Sequence, residues 1–147
     1  ICIVPRLAKF LSRLMVLNTV LPEAILIKSR SIGVRRAVLL PELNPKTVEG
    51  ILKALPFKGF ANTWGEEIYF EIPVVLPEEN SRREVEKGEV AYWPPGRALC
   101  IFFGPTPMSR KGKIVAYSPV NVFAKIEGDL EVFKKVRDGE EILVEKE

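Results

Sequence analysis

The side chains able to carry chemistry in this 147-residue chain are few, and their types restrict the reactions it can perform. The sequence contains no histidine, so triads, dyads and zinc sites that depend on imidazole are excluded within this chain. Cys2 and Cys100 are far apart and lack the spacing of a metal-binding pair. Without an imidazole to activate it, Cys100 is expected to be an inert buried thiol. We therefore predict neither a metal site nor a cofactor.

Two kinds of side chain remain as candidates for a site: a carboxyl pair and a set of large aromatic rings. Glu66 and Glu67 are adjacent in a predicted strand, so they point to opposite faces and cannot share a proton. We interpret Glu66 as a hydrogen-bonded structural residue. A ligand-binding groove on the outer face of a sheet is predicted from six residues: Trp64, Tyr69, Trp93, Arg97, Phe102 and Met108. Ordinary packing of the same rings, in the core or on the surface, is the alternative that the sequence leaves open.

The charge distribution argues against a nucleic-acid partner. Three basic residues within the first 14 positions account for the whole net charge of +3. The remainder of the chain is therefore electrically neutral and presents no basic field to a phosphate backbone. Glutamate and lysine are abundant and glutamine is absent, a composition typical of hyperthermophile proteins. Two cysteines without a disulfide framework favour a reducing cytoplasm.

Residues 1–22 form a separate segment with its own pattern. The apolar face of a short helix is indicated by Leu7, Phe10, Leu11 and Leu14, with basic residues on the opposite side. Three interpretations remain open: an extension upstream of a start at Met15, a helix packed against its own domain or a second copy, and a basic amphipathic helix on a membrane surface. A homo-oligomer held through this segment is one consequence of the second. No run reaches the ~18 apolar residues of a membrane span.

The rest of the chain has the pattern of a mainly β domain. Eight strands are predicted, at residues 23–29, 34–40, 58–64, 66–72, 89–93, 98–103, 119–126 and 140–145. One helix is predicted to begin at Asn44-Pro45, with Asn44 as its N-cap, and to end at Pro56. A second is predicted after Asp129, with apolar residues at 130, 133 and 136. Residues 73–88 and 104–118 are predicted loops, and 104–109 a flap over a ligand. The economical packing is a closed antiparallel barrel with a helix over each end.

Several motifs in this chain resemble the cyclophilins, the barrel family of peptidyl-prolyl isomerases. Residues 45–49, PKTVE, resemble their first helix, and residues 122–136 resemble their seventh strand and second helix. NTWGEEIYF at 62–70 is more specific, and so is GEVAYWPPG at 88–96 with its continuation ALCIFFGPTP at 98–107. These longer motifs resemble a group of small prokaryotic cyclophilin-like proteins of unassigned function. The resemblance covers residues 23–147 and implies an eight-stranded closed barrel capped by two helices.

Comparison with true cyclophilins bears directly on activity. Their catalytic arginine lies in a Phe-His-Arg run shortly after a Lys-Gly pair, and counting from Lys58 places it at Trp64. Their active-site glutamine falls on Ile101, and the pocket phenylalanine falls on Phe102 or Phe103. Loss of a charged hydrogen bond worth about 1.5–3 kcal/mol slows a reaction about 10- to 150-fold. The resemblance therefore implies weak or no isomerase activity.

Three hypotheses about function follow. The first is a cyclophilin-like domain that binds a small molecule or a proline-containing peptide segment in the predicted groove. The second is a working peptidyl-prolyl isomerase with Arg97, the one candidate catalytic residue, as hydrogen-bond donor. The third is a partner-binding module that makes contact through the N-terminal helix.

Overall fold

The computed structural model describes residues 23–147, and the predictions made for residues 1–22 lie outside that range. Within it, the elements are β1 (Ala24–Ser29), β2 (Gly33–Leu39), α1 (Pro45–Ala54), β3 (Phe57–Phe60), β4 (Asn62–Thr63), β5 (Glu67–Glu71), β6 (Arg82–Val85), β7 (Glu89–Trp93), β8 (Ala98–Phe102), β9 (Ile114–Ile126) and β10 (Glu141–Lys146). Short 3₁₀ helices span Pro94–Gly96 and Glu131–Lys135. No helix in residues 23–147 is long and apolar enough to cross a membrane.

The strands form an antiparallel sheet, but it does not close into the predicted eight-stranded barrel. Hydrogen-bonded neighbours run in the order β3-β10-β1-β2-β9-β7-β8-β5-β4, and β6 pairs separately with β9. The two ends are not joined by a ladder. β3 and β5 are in contact through a side chain: a Cβ added at Gly59 would lie 2.5 Å from the ring of Phe70. The closed barrel is therefore corrected to an open antiparallel sheet.

The second predicted helix is also corrected. Residues 131–135 form a 3₁₀ turn, in which the amide of Phe133 donates to the carbonyl of Leu130 and the amide of Val136 donates to that of Phe133. Leu130, Phe133 and Val136 are spaced three residues apart, and a 3₁₀ helix has three residues per turn. The tighter helix thus brings all three to the main core, where Phe133 and Val136 are buried.

Two predicted loops contain strands instead. Residues 82–85 form β6, and β9 begins at Ile114 rather than at residue 119. Val85 pairs with Ile114, and Arg82 pairs with Val120 across a register shift. The charged run before Val85 obscured this strand, because its first three side chains are half-buried or exposed.

The sheet has apolar residues on both faces. On β8, Leu99 and Ile101 belong to the main core, which also contains the apolar face of α1. Cys100 and Phe102 point the other way, into a second cluster covered by β6 and the first half of β9. We call the side of the second cluster the outer face. A strand buried on both faces has a continuous apolar sequence, as ALCIF does here.

Helix α1 is present as predicted, with Asn44 as its N-cap residue, but the capping hydrogen bonds come from another side chain. Asn44 makes no capping hydrogen bond with its side chain. Its amide group donates to the carbonyl of Val122 (2.7 Å) and its oxygen accepts from the amide of Asn80 (2.7 Å). The carboxylate of Glu79 takes the capping role, accepting from the amides of Lys46 and Thr47 at 3.0 Å each. The segment before β6 is thereby attached to the start of the helix.

Candidate functional site

A pocket of about 340 Å³ opens on the outer face, where the β4–β5 turn, β5, β7, β8 and the first half of β9 meet. We call it the aromatic pocket. Its lining residues are Trp64, Glu67, Tyr69, Trp93, Cys100, Ala116, Tyr117, Ser118 and Val120. Four of these nine side chains are aromatic, and none is a lysine or an arginine.

Strand alternation explains how β5 and β8 supply the floor of the aromatic pocket. On β5, Ile68 and Phe70 are fully buried in the main core, so Glu67 and Tyr69 face outwards. On β8, Cys100 lies opposite Tyr69 in the ladder and shares its outward direction. The outward-facing positions of these two adjacent strands thus place a carboxyl group, a phenol and a thiol on one surface.

The walls are formed by rings set nearly at right angles. The centroid of Tyr117 lies 6.0 Å from that of Trp64 with an interplanar angle of 78°, and 6.1 Å from that of Trp93 with an angle of 86°. The indole N–H of Trp93 donates to Ser118 Oγ (2.6 Å), which fixes that ring relative to β9. The other side of the ring packs against Gly96, where a Cβ would overlap the indole. Tyr117 is 64% exposed and forms the rim.

Glu67 is the chemically distinctive residue of the aromatic pocket. Only 6% of it is exposed, and its carboxyl group accepts a hydrogen bond from the Cys100 thiol. Burial raises the pKa of Glu67 to about 7, because the charged form loses its hydration. Burial, and then the nearby Glu67 charge, raise the pKa of Cys100 well above its ordinary value. Cys100 is thus held as a thiol, whereas Glu67 changes charge near neutral pH.

The structure brings together three of the six residues predicted for the groove and places the other three elsewhere. Trp64, Tyr69 and Trp93 line the aromatic pocket. Phe102 is fully buried in the second cluster beneath β6. Met108 is half-buried, with its sulfur 3.5 Å from an Arg83 nitrogen.

Arg97, the sixth predicted residue, is exposed and does not line the aromatic pocket. It ends the 3₁₀ helix between β7 and β8 in a left-handed conformation (φ 48°). Its carbonyl accepts from the amide of Ile72, so the backbone at this position fixes the turn.

Sequence reasoning missed Glu67, Tyr117 and Ser118 as pocket residues. The strand alternation that predicts an outward direction for Tyr69 also applies to Glu67, two residues earlier, so the sequence pattern could have identified Glu67. Tyr117 and Ser118 fall in a predicted loop and were overlooked with the start of β9.

Ile101 and the predicted flap at 104–109 both lie outside the lining of the aromatic pocket. Ile101, at the position of the cyclophilin glutamine, is fully buried in the main core and faces away from the aromatic pocket. The predicted flap at 104–109 does not line the pocket, and Thr106 ties it to β9 through a hydrogen bond from Oγ1 to the carbonyl of Val115 (2.5 Å). Within residues 23–147, no three cysteine, aspartate or glutamate side chains are grouped so that they could hold a metal ion.

Comparisons with known proteins agree with this architecture. The model of a family described as cyclophilin-like matches residues 25–145. Among solved structures, the chain is similar to a hypothetical protein from Archaeoglobus fulgidus with a solution structure. The two are 44% identical with a TM-score of 0.74, over 86% of this chain and 96% of that one. No curated protein matches the chain.

Proposed function

This chain belongs to the cyclophilin-like family, and from that premise we propose that it binds a small molecule or a short peptide segment in the aromatic pocket, with weak or no peptidyl-prolyl isomerase activity. The observation that carries the proposal is the lining: four aromatic side chains surround a buried carboxyl group, and none of the lining side chains from residues 23–147 is cationic. A concave, mostly apolar site with few polar groups is typical of a binding pocket.

The chemistry of isomerisation explains why the lining matters. Rotation about an X–Pro bond is opposed by amide resonance, with a barrier of about 18–20 kcal/mol. An isomerase that follows the cyclophilin mechanism presents a cationic hydrogen-bond donor to the imide nitrogen as the bond twists. The position of that donor in the family pattern is Trp64, whose indole lines the pocket and carries no charge.

Arg97 defines the competing hypothesis of an active isomerase, and a protease-coupled assay on a proline tetrapeptide tests it. We expect the wild-type chain, even at high concentration, not to accelerate cis/trans isomerisation of the peptide, which takes tens to hundreds of seconds without a catalyst. Arg97→Ala is expected to give the same rate. Arg110→Ala, which removes an exposed cation from the hairpin before β9, is the matched control. Catalysis by the wild type that is lost in Arg97→Ala and kept in Arg110→Ala would establish the isomerase instead.

Ligand binding can be followed without any label. The chain has two tryptophans, and both line the aromatic pocket, so intrinsic fluorescence reports on that site. A proline-containing peptide or a small apolar molecule that binds there is expected to shift or quench the emission, and to do so less in Trp64→Leu.

A further inference from the structure

We infer that the ligand of the aromatic pocket is an organic cation of the methylated-ammonium class. This inference rests on the proposed function, because it identifies the chemistry of a ligand for the same pocket. The observation that carries it is a box of aromatic side chains above a buried carboxyl group that has no cationic partner among residues 23–147.

The walls are suited to a soft cation. The faces of tryptophan and tyrosine rings carry negative electrostatic potential and attract cations within about 6 Å of the centroid, and aromatic boxes of this kind recognise quaternary ammonium groups. Tyr117 stands nearly perpendicular to both Trp64 and Trp93, so the three rings form two corners of a box. Tyr69 adds a fourth ring to the lining.

The carboxyl group of Glu67, at the floor of the aromatic pocket, supplies the opposite charge. A second buried carboxyl group provides a comparison. Glu67 and Glu89 are the two buried carboxyl groups within residues 23–147, with 6% and 3% exposed. Glu89 has a partner, a nitrogen of Arg82 at 2.9 Å. Glu67 forms no ion pair with any described residue, and its hydrogen-bonding neighbour within residues 23–147 is the Cys100 thiol, a weak donor. A ligand cation would provide for Glu67 what Arg82 provides for Glu89.

The size and polarity of the pocket point to a methylated ammonium rather than a primary amine. About 340 Å³ is at the small end of ligand sites, which suits a group the size of choline. The indole N–H of Trp93 is already committed to Ser118, and four of the nine lining side chains are aromatic, so ring surface makes up much of the wall. A methylated ammonium has no N–H to satisfy and would need only aromatic faces and a charge.

The test compares choline with 3,3-dimethylbutanol, its uncharged carbon analogue, by tryptophan fluorescence of the full chain. We expect choline to bind at least about tenfold more tightly than the alcohol. Glu67→Gln should weaken choline binding about tenfold and leave the binding of the alcohol unchanged. The matched control is Glu66→Gln, which alters the neighbouring carboxyl group outside the pocket lining and should leave both affinities unchanged. Near-UV circular dichroism verifies that each variant is folded.

The outcomes separate this inference from the proposed function. Equal affinities for choline and the alcohol, or a choline affinity unaffected by Glu67→Gln, would overturn the cation while leaving a binding pocket in place. Binding of neither probe, together with no binding of a proline peptide, would overturn both. A short peptide containing trimethyl-lysine distinguishes the source: tighter binding than choline assigns the cation to a protein side chain, and weaker binding assigns it to a free small molecule.

Discussion

The carboxyl group of Glu67 accepts a hydrogen bond from the thiol of Cys100 at the floor of the aromatic pocket, on adjacent strands of the sheet. Both side chains are buried, and neither has an oppositely charged partner among the described residues. The ionised form of a carboxyl group buried without a cation is unfavourable for folding.

The first prediction concerns Glu67 and the dependence of stability on pH. Its pKa is about 7 in the folded protein, against an ordinary value of 4.5. Between these values the unfolded chain releases a proton that the folded protein keeps, so the Glu67 contribution to the free energy of unfolding falls as pH rises, by about 3 kcal/mol in total. Glu67→Gln abolishes this loss. We expect it to stabilise the protein more at pH 8 than at pH 5, by about 2 kcal/mol, as measured by chemical denaturation.

Glu66→Gln serves as the comparison, because it neutralises a half-buried neighbour that lies outside the aromatic pocket. If the free energy of unfolding changes equally with pH in the wild type and in Glu67→Gln between pH 5 and pH 8, Glu67 is already ionised in the folded protein at pH 5.

The second prediction concerns the reactivity of Cys100. Burial, with the Glu67 charge as a second cause, raises the pKa of this thiol well above its ordinary value of 9.0. Because the thiolate is the nucleophile, a Cys2→Ser variant is expected to react with iodoacetamide at pH 8 at least ~100-fold more slowly when folded than in denaturant. The rate is measured by mass spectrometry. Labelling of the folded variant at the rate seen in denaturant would place Cys100 in contact with solvent.

The third prediction tests how Trp93 is positioned. A methyl group at Gly96 would overlap the indole, and the backbone of Gly96 does not have the positive φ that excludes alanine. Gly96→Ala is therefore expected to displace the ring, change the near-UV circular dichroism and weaken ligand binding about tenfold, with a loss of stability of about 1–3 kcal/mol. Gly50→Ala is the control, because the nearest atoms to its methyl group would be those at the flexible end of the Leu76 side chain. An unchanged spectrum in Gly96→Ala would show that the indole is free to move.

Local patterns in the sequence were sufficient for the elements whose neighbours are close along the chain. The alternation of Ile68 and Phe70 with Tyr69 gave both the strand and the face it buries. The Asn44-Pro45 start and the Pro56 end gave helix α1. The spacing at Leu130 indicated a helix but not its type, since a three-residue spacing satisfies a 3₁₀ helix and one turn of an α-helix alike.

Features that depend on distant pairing were not predictable in the same way. β6 is charged along most of its length, and only its pairing with the start of β9 makes it a strand. Tyr117 reaches the aromatic pocket because of that pairing, so a local reading left it in a loop. Closure of the barrel requires a ladder between the two ends of the strand order, and the pattern of a single strand does not show which strands pair.

The fourth prediction concerns the long-range cap of helix α1. The carboxylate of Glu79 accepts hydrogen bonds from the amides of Lys46 and Thr47 and from Thr47 Oγ1, at 3.0, 3.0 and 2.9 Å. Because these amides have no partner within the helix and the helix dipole favours a negative charge there, Glu79→Ala is expected to lower the free energy of unfolding by about 1–2 kcal/mol in urea denaturation. Glu78→Ala removes an adjacent exposed carboxylate that accepts only from Ser81, and it should cost less than about 0.5 kcal/mol. Equal losses in the two variants would mean that water caps the helix as well as Glu79 does.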